Sequence, residues 1–170
     1  RELAIRFWKL NALGKAAWKY EVLTHGSSNS ASADMVSAST YFLAAELYDK
    51  RAGQKIKLMS MMIDDAGEPL EVWARELKGK GSQSCPVVKA LRNGNLFVAW
   101  DSWDKPGNFL TMRCAMYNSS GKLLWEKQEG TPTGSGVVEV LEAKDGTLII
   151  GGQYRWRKAN YKIEADHVGY

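Results

Sequence analysis

Aromatic and basic side chains gather at two places in this chain. Trp100, Asp101, Trp103, Asp104 and Lys105 form one group. Tyr154, Arg155, Trp156, Arg157 and Lys158 form the other. Indole rings beside guanidinium or ammonium groups suit protein-contact hot spots. They also suit stacking on sugars or anionic ligands. Trp103, Trp156, Arg155, Arg157, Tyr154 and Trp100 are therefore the candidate binding residues. The competing reading is that these rings only cover the edge of a sheet.

Other reactive types are sparse. His25 and His167 are the only histidines, and no His/Cys or multi-carboxylate spacing suits a metal. Asp64-Asp65 and Asp101/Asp104 could supply oxygen ligands to calcium, but paired acids more often form turns. No nucleophile–base pattern is legible, so no catalytic residue is assigned. Tyr154–Lys162 holds four basic residues and no acid. One such cluster falls short of the interleaved pattern of nucleic-acid binders. Cys85 and Cys114 are too few for a disulfide framework. Their expected places, two strands apart in one sheet, put them about 9.6 Å apart. That exceeds the ~7 Å reach of a disulfide, so buried free thiols are expected.

The chain has 170 residues, 45% hydrophobic and 25% charged, with a net charge of +4. That is ordinary for a globular domain and too weakly basic for a dedicated nucleic-acid binder. No apolar run reaches the ~20 residues of a membrane-crossing helix. The chain begins at Arg1 without a secretory signal, which suggests a processed chain or a piece of a longer one.

A repeat holds these residues in place. The stretch YNSSGKLLWEKQ, Tyr117–Gln128, reads as a hairpin with a glycine turn and a following Trp. Similar pieces run from Met62 to Leu77 and from Trp8 to Val22. Their glycines, Gly14, Gly67 and Gly121, are 53 and 54 residues apart, and Trp18, Trp73 and Trp125 are 55 and 52 apart. A period near 50 residues marks a repeat architecture. The turn glycines need positive φ. The Trp side chains are expected to pack between units.

Each unit reads as four short strands, A to D, in an antiparallel meander. Segment 1–23 is a C–D half, 31–78 and 84–128 are complete units, and 137–166 is an A–B–C part. In the first complete unit the strands fall at Asp34–Ser37, Tyr41–Tyr48, Lys55–Ile63 and Glu71–Leu77. In the second they fall at Val87–Leu91, Asn95–Asp101, Asn108–Tyr117 and the strand of Trp125. The last part has Val137–Ala143, Thr147–Gln153 and Asn160–Asp166. Residues 24–33, 78–86 and 129–136 are polar loops, and 102–107 is another. Arg92-Asn93-Gly94 and Lys144-Asp145-Gly146 are hairpin turns, the Asn-Gly pair expected to take positive φ. Ala31–Leu47 is the best helix candidate, yet its alignment with strand pairs elsewhere argues against a helix.

Four-stranded units of this length are the size of propeller blades. CPVVKALRNGNLFVAW and MYNSSGKLLWEK, within Cys85–Lys127, resemble the quinoprotein-like (PQQ-like) β-propeller repeat. LEAKDGTLIIGGQ, Leu141–Gln153, is similar to the Asp-Gly-rich propeller repeats of secreted bacterial proteins. The resemblance implies an all-β propeller segment and a secreted, periplasmic or cell-surface home. It also implies blade docking through the repeated Trp. The family spans quinone-dependent dehydrogenases, outer-membrane assembly scaffolds similar to BamB and many secreted propellers. Its usual turn carries Thr-Gly, whereas these turns read Ala-Leu-Gly, Asp-Ala-Gly and Ser-Ser-Gly, which points away from the dehydrogenases. The expectation is a non-catalytic scaffold without cofactor or metal. A carbohydrate-binding propeller is the alternative, and a quinoprotein fragment the third reading. Three units cannot close a ring, so further copies of the chain, or a longer chain, must supply the rest.

Overall fold

The computed structural model describes residues 3–24, 30–49, 53–77, 81–103, 111–129 and 135–154. Every regular element in it is a β-strand. They are β1 (Leu3–Leu10), β2 (Ala16–Thr24), β3 (Ala31–Ser37), β4 (Thr40–Asp49), β5 (Gly53–Ile63) and β6 (Pro69–Glu76). They continue as β7 (Ser82–Ala90), β8 (Leu96–Trp103), β9 (Thr111–Tyr117), β10 (Leu123–Glu129), β11 (Ser135–Glu142) and β12 (Leu148–Tyr154). The strands form four antiparallel sheets: β1–β2, β3–β4–β5–β6, β7–β8–β9–β10 and β11–β12. Each four-stranded sheet is a meander in chain order, as the repeat predicts. Ala31–Leu47 is strand, not helix. The expected strand at Asn160–Asp166 lies outside the described residues.

Glycine turns set the register. At the three C–D turns the first residue is Asn11, Asp64 or Asn118. Its Oδ1 accepts the N–H groups two and four residues on, at 2.9–3.1 Å. Gly14, Gly67 and Gly121 then take φ of 75°, 85° and 76°, which only glycine adopts freely. At the A–B turns the acid or amide moves one place before the glycine. Asp145 Oδ1 accepts Thr147 N–H at 2.9 Å, which holds the Asp145 carboxyl below the usual range. Asn93-Gly94 departs from expectation: only Gly94 has positive φ, at 81°. The loop is the expected Arg92-Asn93-Gly94, with Gly94 N–H donating to Leu91 O, and in this three-residue loop only the glycine enters the left-handed region.

The sheets stack face to face. The central strands carry apolar residues on both faces, and alternate residues serve different neighbours. On β4 and β5, Tyr41, Leu43, Ala45, Met59 and Met61 pack against Phe7, Trp18 and Val22 of β1–β2. Phe42, Ala44, Ile56 and Leu58 pack against Val88, Leu96, Val98 and Trp100 of the next sheet. The far face of that sheet, with Phe97, Ala99 and Cys114, meets Val140 and Leu148. Burying one such side chain stabilises by about 1.5–3 kcal/mol. No sheet here can therefore lose its neighbours cheaply.

The first strands of successive sheets draw together, β3 against β7 and β7 against β11. Cys85 and Val88 N–H donate to Ser30 and Ser32 Oγ, both at 3.1 Å, and Ala90 N–H donates to Asp34 Oδ2 at 2.9 Å. Small polar side chains of one sheet thus satisfy the free edge of the next. This is why the first strands begin earlier than their composition suggests. Ala31–Ala33, Ser82–Pro86 and Ser135–Gly136, expected as loop, are strand.

Candidate functional site

Strands B and D end, and strands A and C begin, at one end of the stack. Below that end lies a polar cluster. Glu46, near the end of β4, is buried. Its Oε2 accepts Ser30 Oγ–H at 2.7 Å and the Cys85 N–H of the next sheet at 3.2 Å. Its Oε1 accepts Gln54 Nε2–H at 2.9 Å. The carboxylate therefore staples two sheets and is fully engaged. In the next sheet Gln83 accepts the Trp100 indole N–H and donates to Ser102 Oγ at 3.1 Å and Gly81 O at 3.0 Å. Asp101, one repeat on from Glu46, is also buried.

Cys85 sits where this cluster opens. It lies in a bulge between Ser84 and Val87, precedes Pro86, and takes φ of 51°. The bulge turns its side chain outward, so Cys85 is exposed, contrary to the expected buried thiol. Cys114 is buried as expected, and neither cysteine is in a disulfide. Partial burial, then the carboxylates of Asp101 and Glu46, push the Cys85 thiol up. It stays protonated near neutral pH, the opposite of an activated nucleophile.

The expected binding residues divide. Trp103 is exposed, at 43%, and ends β8 paired with Ser82 rather than lying in a loop. Trp100 is 1% exposed and belongs to the core, so it is removed from the binding face. The reason is that β8 is buried on both sides up to Ser102, and Trp100 points into the junction with β3–β6. Tyr154 ends β12, paired with Ser135, and only its backbone is described. Arg155, Trp156 and Arg157 lie outside the described residues, as do Asp104, Lys105, His25 and His167. Tyr48, one residue before the end of the equivalent strand of the preceding sheet, is exposed, a residue the sequence reading passed over. Its signal was its place: Tyr48 and Trp103 lie one repeat apart at the close of strand B. Among the described residues no three His, Cys, Asp or Glu side chains are placed to hold a metal. No helix among them is long and apolar enough to cross a membrane.

The repeated Trp residues behave in three ways. Trp73 is buried, and its Nε1–H donates to Ser119 O at 2.9 Å in the next sheet. Trp18 is buried edge-on to Tyr41, ring centroids 5.3 Å apart, but its Nε1 has no partner and nothing lies within 4 Å of a Cβ at Gly67. Trp125 is 37% exposed, tilted against Phe97. One junction therefore has a Trp seated on the next sheet's C–D turn.

No family model, curated protein or solved structure matches this chain. Function rests on the geometry alone.

Proposed function

We propose that the chain is a propeller-type, non-catalytic binding scaffold whose contact surface is the end where the B–C and D–A connections meet. The observation that supports this most is Trp103, a half-exposed indole at the end of a strand that is otherwise buried along its length. Such a ring is held rigidly and presents a large contact area at low entropic loss. Beneath it the polar groups are engaged: Glu46 accepts from three donors, and Gln83 bonds on both its oxygen and its nitrogen. Groups already committed to one another are poorly placed for acid–base work. The protonated Cys85 thiol supports the same reading. The propeller assignment is supported by meander sheets stacked through both faces, with their first strands converging.

Affinity capture with the chain as bait, compared with Trp103→Ala and Tyr48→Ala, tests the surface. A partner retained by the parent and lost by both variants supports it; a partner retained equally by all three refutes it. Exposed aromatic rings also stack on sugars, which favours the second reading, a carbohydrate-binding propeller. A glycan array separates the two, since a protein scaffold leaves it silent. Periplasmic or secreted placement belongs to this proposal as well.

A further inference from the structure

The two ends of the stack are complementary halves. Sheet β1–β2 is a C–D pair and β11–β12 an A–B pair, in the terms of the complete sheets. Among the described residues β1 pairs only with β2, and β12 only with β11. We infer that β12 of one copy pairs with β1 of a second copy, so that β11–β12 and β1–β2 form one shared four-stranded sheet. For the 170-residue chain taken by itself, two such shared sheets join two copies through six sheets: two complete sheets from each copy and the two shared ones. Six lies within the range over which blades close. The inference rests on the stacked-sheet part of the proposed function, and not on the binding surface.

The faces match. On β12, Leu148 packs toward β7–β10, while Ile149 and its partner Leu141 on β11 are exposed on the opposite face. On β1, Phe7 and Ile5 pack toward β3–β6, while Trp8 and Leu10 are exposed on the opposite face, which Leu23 of β2 shares at its far end, opposite Ala4. Alternation along strands fixes what a shared sheet does with these residues. In the register of β4 with β5, where Ala45 faces Lys57, Gly152 falls opposite Ala4 and Leu148 opposite Trp8. The register of β8 with β9 is offset by two residues and sets Gly152 opposite Arg6. Both put Trp8 and Leu10 on the face of Leu148, and Ile149 on the face of Phe7. Each half's exposed apolar residues thus lie on the face that the other half already buries.

The indole junction points the same way. Trp73 rests on the Gly121 turn of the following sheet. Trp125 occupies the same repeat position and is part-exposed. Gly14 opens the equivalent turn on β1–β2, with φ of 75° and nothing within 4 Å of a Cβ. In the shared sheet the Gly14 turn of the second copy takes the place opposite Trp125. The competing occupant of the β12 edge is the chain's own 160–166 segment, which would leave the chain a monomer.

Light scattering of the 170-residue chain over a dilution series is the first test. Twice the chain mass is expected, and a monomer throughout overturns the inference. Trp8→Glu and Ile149→Glu, both at exposed positions, are expected to give monomers with unchanged far-ultraviolet dichroism. In a Cys85→Ser background, Gly152→Cys mixed with Ala4→Cys, or with Arg6→Cys, is expected to give a disulfide between unlike chains in one of the two mixtures. A dimer that forms neither disulfide and ignores both glutamates also overturns it. A dimer that binds nothing at Trp103 sinks the binding surface and leaves the shared sheet standing.

Discussion

The indole of Trp73 lies against Gly121 of the neighbouring sheet so closely that a Cβ on Gly121 would sit 2.7 Å from its Cδ2 atom. The two residues belong to successive repeats and join their outer edges. Trp73 Nε1–H is satisfied there by Ser119 O at 2.9 Å. Gly121 is thus required twice, for positive φ and for the ring.

Gly121→Ala and Gly67→Ala separate these two requirements. Both glycines have positive φ, 76° and 85°, but nothing lies within 4 Å of a Cβ at Gly67. Gly67→Ala should lose about 1–2 kcal/mol through backbone strain. Gly121→Ala adds a steric clash, for a total of about 2–4 kcal/mol. Urea unfolding of the two variants measures the difference. Equal losses would show that the ring yields without penalty.

Glu46→Ala removes the acceptor shared by Ser30, Gln54 and the Cys85 N–H. Two part-buried side chains and the Cys85 N–H then lose a charged partner, the N–H keeping Ser30 Oγ. A loss of about 2–4 kcal/mol is expected, since hydrogen bonds to charged groups and stranded donors each carry 1–3 kcal/mol. Amide exchange at Cys85 should accelerate in the same variant. An unchanged exchange rate would mean that this contact between sheets does not form in solution.

The fold was legible because the repeat preserves two periods at once, glycine turns near every 53 residues and apolar strands between them. The candidate site was less so. Trp100 looks like Trp103 in sequence, yet the strand holding both is buried on its two faces, which erases the alternation that marks a surface residue. Ser30 and Ser32 look like loop, because small polar residues usually mark one. Here they and Asp34 are spaced by two and satisfy the edge of the next sheet. The outward turn of Cys85 depends on a bulge, and Ser-Cys-Pro alone does not announce one.

The docking of β1–β2 on β3–β6 should depend on pH at both extremes. Tyr20 O–H donates to Glu71 Oε2 at 3.0 Å, and Lys57 Nζ reaches the same oxygen at 2.8 Å. The Lys57 bond, opposed by partial burial and helped by Tyr20, holds the Glu71 carboxyl below its usual range. A lowered carboxyl gives stability that is present above its ordinary pKa and lost as pH falls through the lowered value. Burial, then the Glu71 bond, pushes the Tyr20 hydroxyl up to about 12. A raised hydroxyl gives stability that is present below the ordinary Tyr value and lost as pH rises toward 12. Thermal melts should therefore weaken at both ends, and Tyr20→Phe should remove the alkaline part while sparing most of the acid part. An unaltered alkaline limb in Tyr20→Phe would assign it elsewhere.

The two thiols should react as different species. Cys85 is exposed and Cys114 buried, so a thiol reagent should label one cysteine in the folded chain and the second only on unfolding. Exposure does not make Cys85 fast. Partial burial and the carboxylates of Asp101 and Glu46 disfavour its thiolate, the reactive form. Its labelling should be slower at neutral pH than that of a free cysteine, and should reach half-maximal rate above the ordinary thiol pKa. Glu46→Gln removes one of the opposing charges and should shift that midpoint downward. An unshifted or rising midpoint would remove Glu46 from the field that keeps this thiol protonated.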